Sequence, residues 1–76
     1  MSGRAEIDWL LGYMPLLVRD GALTEWERQF CAAMIRHMRR GAFTPSPRQI
    51  VVMRRLVGAF RRRVFAAGAD TAGDGR

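Results

Sequence analysis

Apolar residues recur every three or four positions through most of this chain, and no stretch alternates in the manner of a strand. From Ile7 they fall at Ile7, Leu10, Leu11, Met14, Leu17 and Val18, which is the spacing of one helix face. Pro15 has no N–H to donate, so it predicts a first helix kinked or split at that point. Arg19, Asp20 and Gly21 then end it, with Gly21 as the candidate left-handed cap.

A second helix opens at Thr24 and Glu27, the T-x-x-E spacing of a capping box. Its apolar side is Leu23, Trp26, Phe30, Ala33, Met34 and Met38; its polar side is Glu25, Arg28, Gln29, Arg36, Arg39 and Arg40. Acids at its start and arginines at its end suit the helix dipole, and Gly41 is placed to stop it.

Residues 44–49, "TPSPRQ", open a third helix. Ser46 is the N-cap, Pro47 takes the first helical position, and Gln49 closes an S-x-x-Q box. Each proline also pushes the residue before it out of helical geometry. The core stripe that follows is Ile50, Met53, Val57, Phe60 and Val64, with an end near Ala67. The pattern therefore predicts an all-α, small three-helix bundle over residues 6–67. Residues 1–5 are expected to be a flexible N-terminus. Residues 68–76, "GADTAGDGR", are expected to be a mobile, disordered tail. Trp9, Trp26, Phe30 and Phe60 are the expected large core fillers. A chain of 76 residues allows one domain with a modest core.

Charge changes this picture. All thirteen basic residues are arginine, and the formal net charge is +6. A GC-rich codon bias would favour arginine over lysine, but would not set where the arginines sit. Residues 1–27 hold two arginines against five acids, a net of −3, whereas residues 28–76 hold eleven against two, a net of +9. That asymmetry points the second half toward a negatively charged partner.

At 100° per residue, Arg48, Arg55 and Arg62 fall opposite the apolar stripe of the third helix. Arg54 and Arg61 flank the stripe on one side and Arg63 on the other. These six arginines, with Arg36, Arg39 and Arg40 as a second cluster, are the candidate contacts to phosphate or carboxylate, which the planar guanidinium fork fits well. Ser46, Arg48 and Gln49 at the helix start are a candidate anion site. Val52, Leu56 and Ala59 lie between the outer arginines and the stripe, a candidate protein interface or homodimer contact.

Catalytic and metal-binding patterns are missing. Cys31 is the single cysteine and reads as a small core residue. His37, the single histidine, stands among Arg36, Arg39 and Arg40 and reads as a surface or half-buried residue. No glycine-rich phosphate loop, metal cluster or nucleophile motif is present. No enzyme activity, metal or cofactor is therefore expected. With no span-length apolar run and no basic head before an apolar stretch, the chain reads as cytoplasmic. A helix-turn-helix is disfavoured, because "GAFTPS" is longer than the usual connection. The arginines, with only Gln49 beside them, suit backbone contact more than base reading. A basic amphipathic helix lying on a membrane ranks third, because the aromatic residues of the first two helices favour a folded bundle.

The stretch Leu23–Val57 resembles a pattern of small bacteriophage, prophage and mobile-element proteins. It is carried by "LTEWE", the following Phe30, and "PSPRQ" with Met53 and Leu56 behind it. It covers nearly half the chain and leaves out residues 1–22 and Arg61–Arg63. The resemblance implies either a DNA-associated accessory protein or a small blocker of a host system, anti-CRISPR-type inhibitors included. The expectation from both lines is a non-enzymatic protein that binds DNA or RNA backbone through its third helix. The alternative is a stoichiometric inhibitor of an acidic host protein or ribonucleoprotein.

Overall fold

A computed structural model describes residues 3–74. Three helices follow in order: α1 (Arg4–Leu17), α2 (Glu25–Arg39) and α3 (Pro47–Asp74). Among the described residues there is no strand, so the all-α, three-helix class read from the pattern is the observed one. Helix α1 packs against both α2 and α3, which touch each other much less. The core is aliphatic and sulfur-containing. Leu10, Met14 and Leu17 of α1, Cys31 and Met34 of α2, and Met53 and Val57 of α3 are all essentially inaccessible. Burying a side chain of the Leu, Met or Val kind contributes about 1.5–3 kcal/mol relative to leaving it in water.

Both capping boxes form. The Thr24 hydroxyl accepts from the Glu27 N–H at 3.1 Å, and the Glu27 carboxylate accepts from the Thr24 N–H at 2.8 Å. At α3 the Gln49 N–H donates to Ser46 Oγ at 3.2 Å, and the Ser46 N–H donates to Gln49 Oε1 at 2.8 Å. Each N-cap side chain is worth about 1 kcal/mol of helix stability. Gly41 leaves the end of α2 at φ 112°, a left-handed conformation in which a side chain would be strained.

Several boundaries differ from the sequence pattern. The first helix begins at Arg4, inside the segment expected to be loose. The Arg4 guanidinium reaches the Phe43 carbonyl at 2.8 Å and Asp8 at 3.0 Å, which ties that end down. Pro15 does not divide α1: it falls in the last turn, so the one bond it cannot donate lies near the end of the helix, and only two helical residues follow it. Gly21 does not carry the left-handed cap; among the described residues Gly41 alone of the glycines has positive φ. The turn after α1 is closed instead by Asp20, whose carboxylate accepts from the Ala22 N–H at 3.0 Å. Helix α3 does not end near Ala67 but continues to Asp74. Gly68 and Gly73 lower helix propensity without breaking it, and no proline follows Pro47. Of the expected tail, residues 75–76 lie outside the described residues.

The aromatic expectation is also overturned. Trp9 is 45% exposed and Trp26 59% exposed, while Phe30 and Phe60 are half-buried. Both indoles sit on the flanks of their helices, about 80–100° from the nearest buried residues of the same helix, and Leu and Met side chains fill the centre. The α3 stripe holds for Ile50, Met53 and Val57, but Val64 is 48% exposed. α3, at 28 residues, is twice the 14-residue length of α1, and its second half has less of the bundle to pack against.

Candidate functional site

The arginines of α3 divide by what faces them. Arg54 grips Glu6 of α1 with both ends of its fork, at 3.0 and 2.8 Å. Arg63 is paired with Asp20 in the turn after α1. Arg61 lies over the Trp9 ring at 5.2 Å from its centroid and over Phe65 at 5.0 Å, and its Nε is buried without a hydrogen-bond partner. Trp9 in turn meets Tyr13 edge-on, and Tyr13 meets Phe60. These contacts advance in the same direction along both helices, so the flanking arginines act as fasteners between α1 and α3.

The acid partners feel the pairing. Arg54's hydrogen bond is the main cause that holds the Glu6 carboxyl below its ordinary range. The Ala22 N–H, followed by Arg63, does the same for Asp20. All five acids of the first 27 residues are engaged within the chain. Besides Glu6 and Asp20, Asp8 holds Arg4, Glu25 holds Arg28 and Gln29, and Glu27 closes its capping box. The counter-charge for Arg54 and Arg63 is thus supplied from outside their own helix.

Arg48, Arg55 and Arg62 behave differently. All three are exposed, and no acid of the described residues pairs with them. They occupy one stripe of α3 with the half-buried Val52 and Ala59 between them, within about 80° of arc and over about 20 Å. Arg62 folds back along the helix toward Gly58, the tip of its guanidinium 3.5 Å from where a Cβ would stand. Arg36, Arg39 and Arg40, at the end of α2, are likewise exposed and without an acidic partner among the described residues. Of the expected apolar strip, Leu56 is buried in the core. Only Val52 and Ala59 remain to form a surface, because the packed arc extends further round α3 than the stripe centred on Val57 suggests. Of the expected anion site, Ser46 and Gln49 use their oxygens on each other's N–H groups, which leaves Arg48.

Two hollows open at the surface. One, of about 330 Å³, lies between α1 and the end of α2. Its rim carries Arg4 and Asp8, which neutralise each other. The other, of about 270 Å³, is walled by Trp26, Phe30, Arg48, Gln49 and Val52. Sequence reasoning placed Trp26 in the core and so missed this surface. The signal was present, because Trp26 and Phe30 stand four apart at the edge of the apolar side of α2. Cys31 offers no reactive thiol: burial, with Glu27's charge second, pushes it up to about 11. His37 stacks on Phe43 at 4.8 Å and closes the end of α2. Among the described residues no group of three His, Cys, Asp or Glu side chains is placed to hold a metal, and no helix is long and apolar enough to cross a membrane.

No family model, curated protein or solved structure matches the chain. The motifs "LTEWE" and "PSPRQ" are seen in the fold to be its two capping boxes, so they carry architecture first.

Proposed function

We propose that this is a non-enzymatic, phage-type accessory protein that acts in the cytoplasm and binds the phosphate backbone of DNA or RNA through the outer face of α3. The observation that carries the reading is the line Arg48, Arg55 and Arg62, exposed and without an acidic partner among the described residues. Four other arginines, Arg4, Arg28, Arg54 and Arg63, have each taken an acid. Like charges along one helix repel, and a polyanion relieves that repulsion. Each guanidinium can offer two donors to one phosphate. Arg36, Arg39 and Arg40 add a second basic cluster. With no amide or hydroxyl side chain on the outer stripe to read base edges, binding is tolerant of sequence.

Three neutralised phosphates release three sets of counterions. Affinity should therefore fall about 20-fold for a single strand and about 40-fold for a duplex between 50 and 200 mM salt. An affinity that stays flat over that range overturns the reading.

A second reading is a stoichiometric inhibitor that docks on an acidic host protein or ribonucleoprotein. It is favoured by the exposed Trp9 and Phe65, both set against Arg61, since a phosphate backbone does not need such apolar surface. A partner captured from host lysate that survives nuclease treatment selects this reading; one lost with nuclease selects the first.

A further inference from the structure

The hollow between the starts of α2 and α3 has a chemistry of its own. Trp26 is more than half exposed although it is the largest side chain of α2. Its ring stacks on Phe30 with centroids 5.7 Å apart and planes 17° from parallel. The pair thus presents a flat aromatic surface, and Val52 extends it on the α3 side. The polar edge of the same hollow is Arg48, the first member of the unpaired arginine line, and Gln49. Gln49's Oε1 is held by the Ser46 N–H. Its amide Nε2 has no acceptor among the described residues and is free to donate.

We infer that this hollow takes one unpaired nucleobase of a single-stranded nucleic acid. The base lies against Trp26, and the adjoining phosphates are held by Arg48 and, further along the strand, by Arg55 and Arg62. The inference rests on the phosphate-binding reading above and narrows it to single strands. Three features fit that ligand together: a flat apolar wall for a π face, an amide donor for a base-edge acceptor, and an unpaired guanidinium where the backbone must pass. Every base has a π face, so stacking keeps the sequence tolerance of the outer arginines. A duplex keeps its bases stacked on one another and has none to offer Trp26. An acidic peptide would meet the arginines equally well but has no general use for the aromatic wall.

The experiment measures binding of an oligo-dT strand, a duplex with the same number of phosphates, and poly-L-glutamate. The proteins are the wild type, Trp26→Ala, Trp26→Phe and the double variant Arg55→Glu/Arg62→Glu. Trp26 is exposed enough for the alanine variant to fold, and circular dichroism verifies it. The expected result is a strand bound more tightly than the duplex. Trp26→Ala should weaken the strand about tenfold or more, with its salt dependence and the duplex affinity unchanged. Trp26→Phe should recover most of the loss, and the double variant should weaken strand and duplex alike. If Trp26→Ala binds the strand as well as wild type while the double variant does not, the stacking inference is overturned and the phosphate reading stands. If wild type binds neither nucleic acid, both fall. Binding of poly-L-glutamate in preference to either oligonucleotide overturns both in favour of an acidic protein.

Discussion

The flanks of α3 and its outer face carry the same side chain in opposite circumstances. On the flanks, Arg54 and Arg63 are held by Glu6 and Asp20, and Arg61 is held against the Trp9 and Phe65 rings. On the outer face, Arg48, Arg55 and Arg62 meet no acid among the described residues. An arginine's availability is thus a tertiary property. The acidic first third of the chain spends its carboxylates on helix fastening and capping, and what remains unpaired is concentrated on the outer stripe and the end of α2. The +9 excess of residues 28–76 overstates the free charge of that half, because Arg28, Arg54 and Arg63 are paired with acids from before residue 28.

Burying the inner side is what gives α3 a fixed outer side, so the largest effect should come from the core. Met53 is fully buried where α3 meets the bundle. Met53→Ala should cost about 2–5 kcal/mol, a large share of the roughly 4–11 kcal/mol that a chain of this size commands. Urea unfolding followed by circular dichroism reads it directly. Nucleic-acid affinity should fall only in proportion to the fraction unfolded. An unchanged urea midpoint would mean that the inner side of α3 is not packed as described.

Next in size is a crossed comparison of the arginines themselves. Arg55→Glu with Arg62→Glu should weaken oligonucleotide binding on the order of a hundredfold and flatten the log–log salt slope by about 2. The urea midpoint should stay where it is, since exposed substitutions usually remain within about 0.5 kcal/mol. Arg54→Glu or Arg63→Glu should do the reverse: each sets a carboxylate against a carboxylate and loosens α3 from its neighbours, while binding changes little. If all four positions affect binding equally, the division between fastening and free arginines is wrong.

How much of this was legible beforehand follows physical range. The capping boxes at Thr24 and Ser46 are local, three residues across, and the sequence shows them directly. Helix existence follows from spacing within one turn. The partnerships Arg54–Glu6 and Arg63–Asp20 span 48 and 43 residues, and nothing local announces them. The tryptophans misled for a related reason. Hydrophobicity places Trp9 and Trp26 near the core, but their azimuth on the helix sets them at its edge, and only the packed neighbours decide between the two. Leu56 is the converse: the wheel sets it between core and surface, and packing takes it inside.

The smallest expected effect is also the most selective, because acid should loosen the flanks without touching the outer face. Glu6 and Asp20 both have carboxyl groups held below their ordinary range in the folded protein. A depressed folded-state pKa contributes stability that is fully present above the unfolded-state value. That contribution fades as pH falls through the folded-state value. For carboxylates the window therefore opens near pH 4 and extends downward. Both acids lie near the surface, so screening keeps the contribution modest. Other carboxylates titrate in the same window, and the informative quantity is a difference. The urea midpoint of wild type minus that of the Glu6→Gln/Asp20→Asn variant should be constant from neutral pH to about pH 5, then shrink toward zero below pH 4. Arg55→Glu/Arg62→Glu, measured the same way, has no such folded-state partners to lose. A gap between wild type and Glu6→Gln/Asp20→Asn that persists unchanged at low pH would show that the two fastenings are shape contacts, with charge incidental to them.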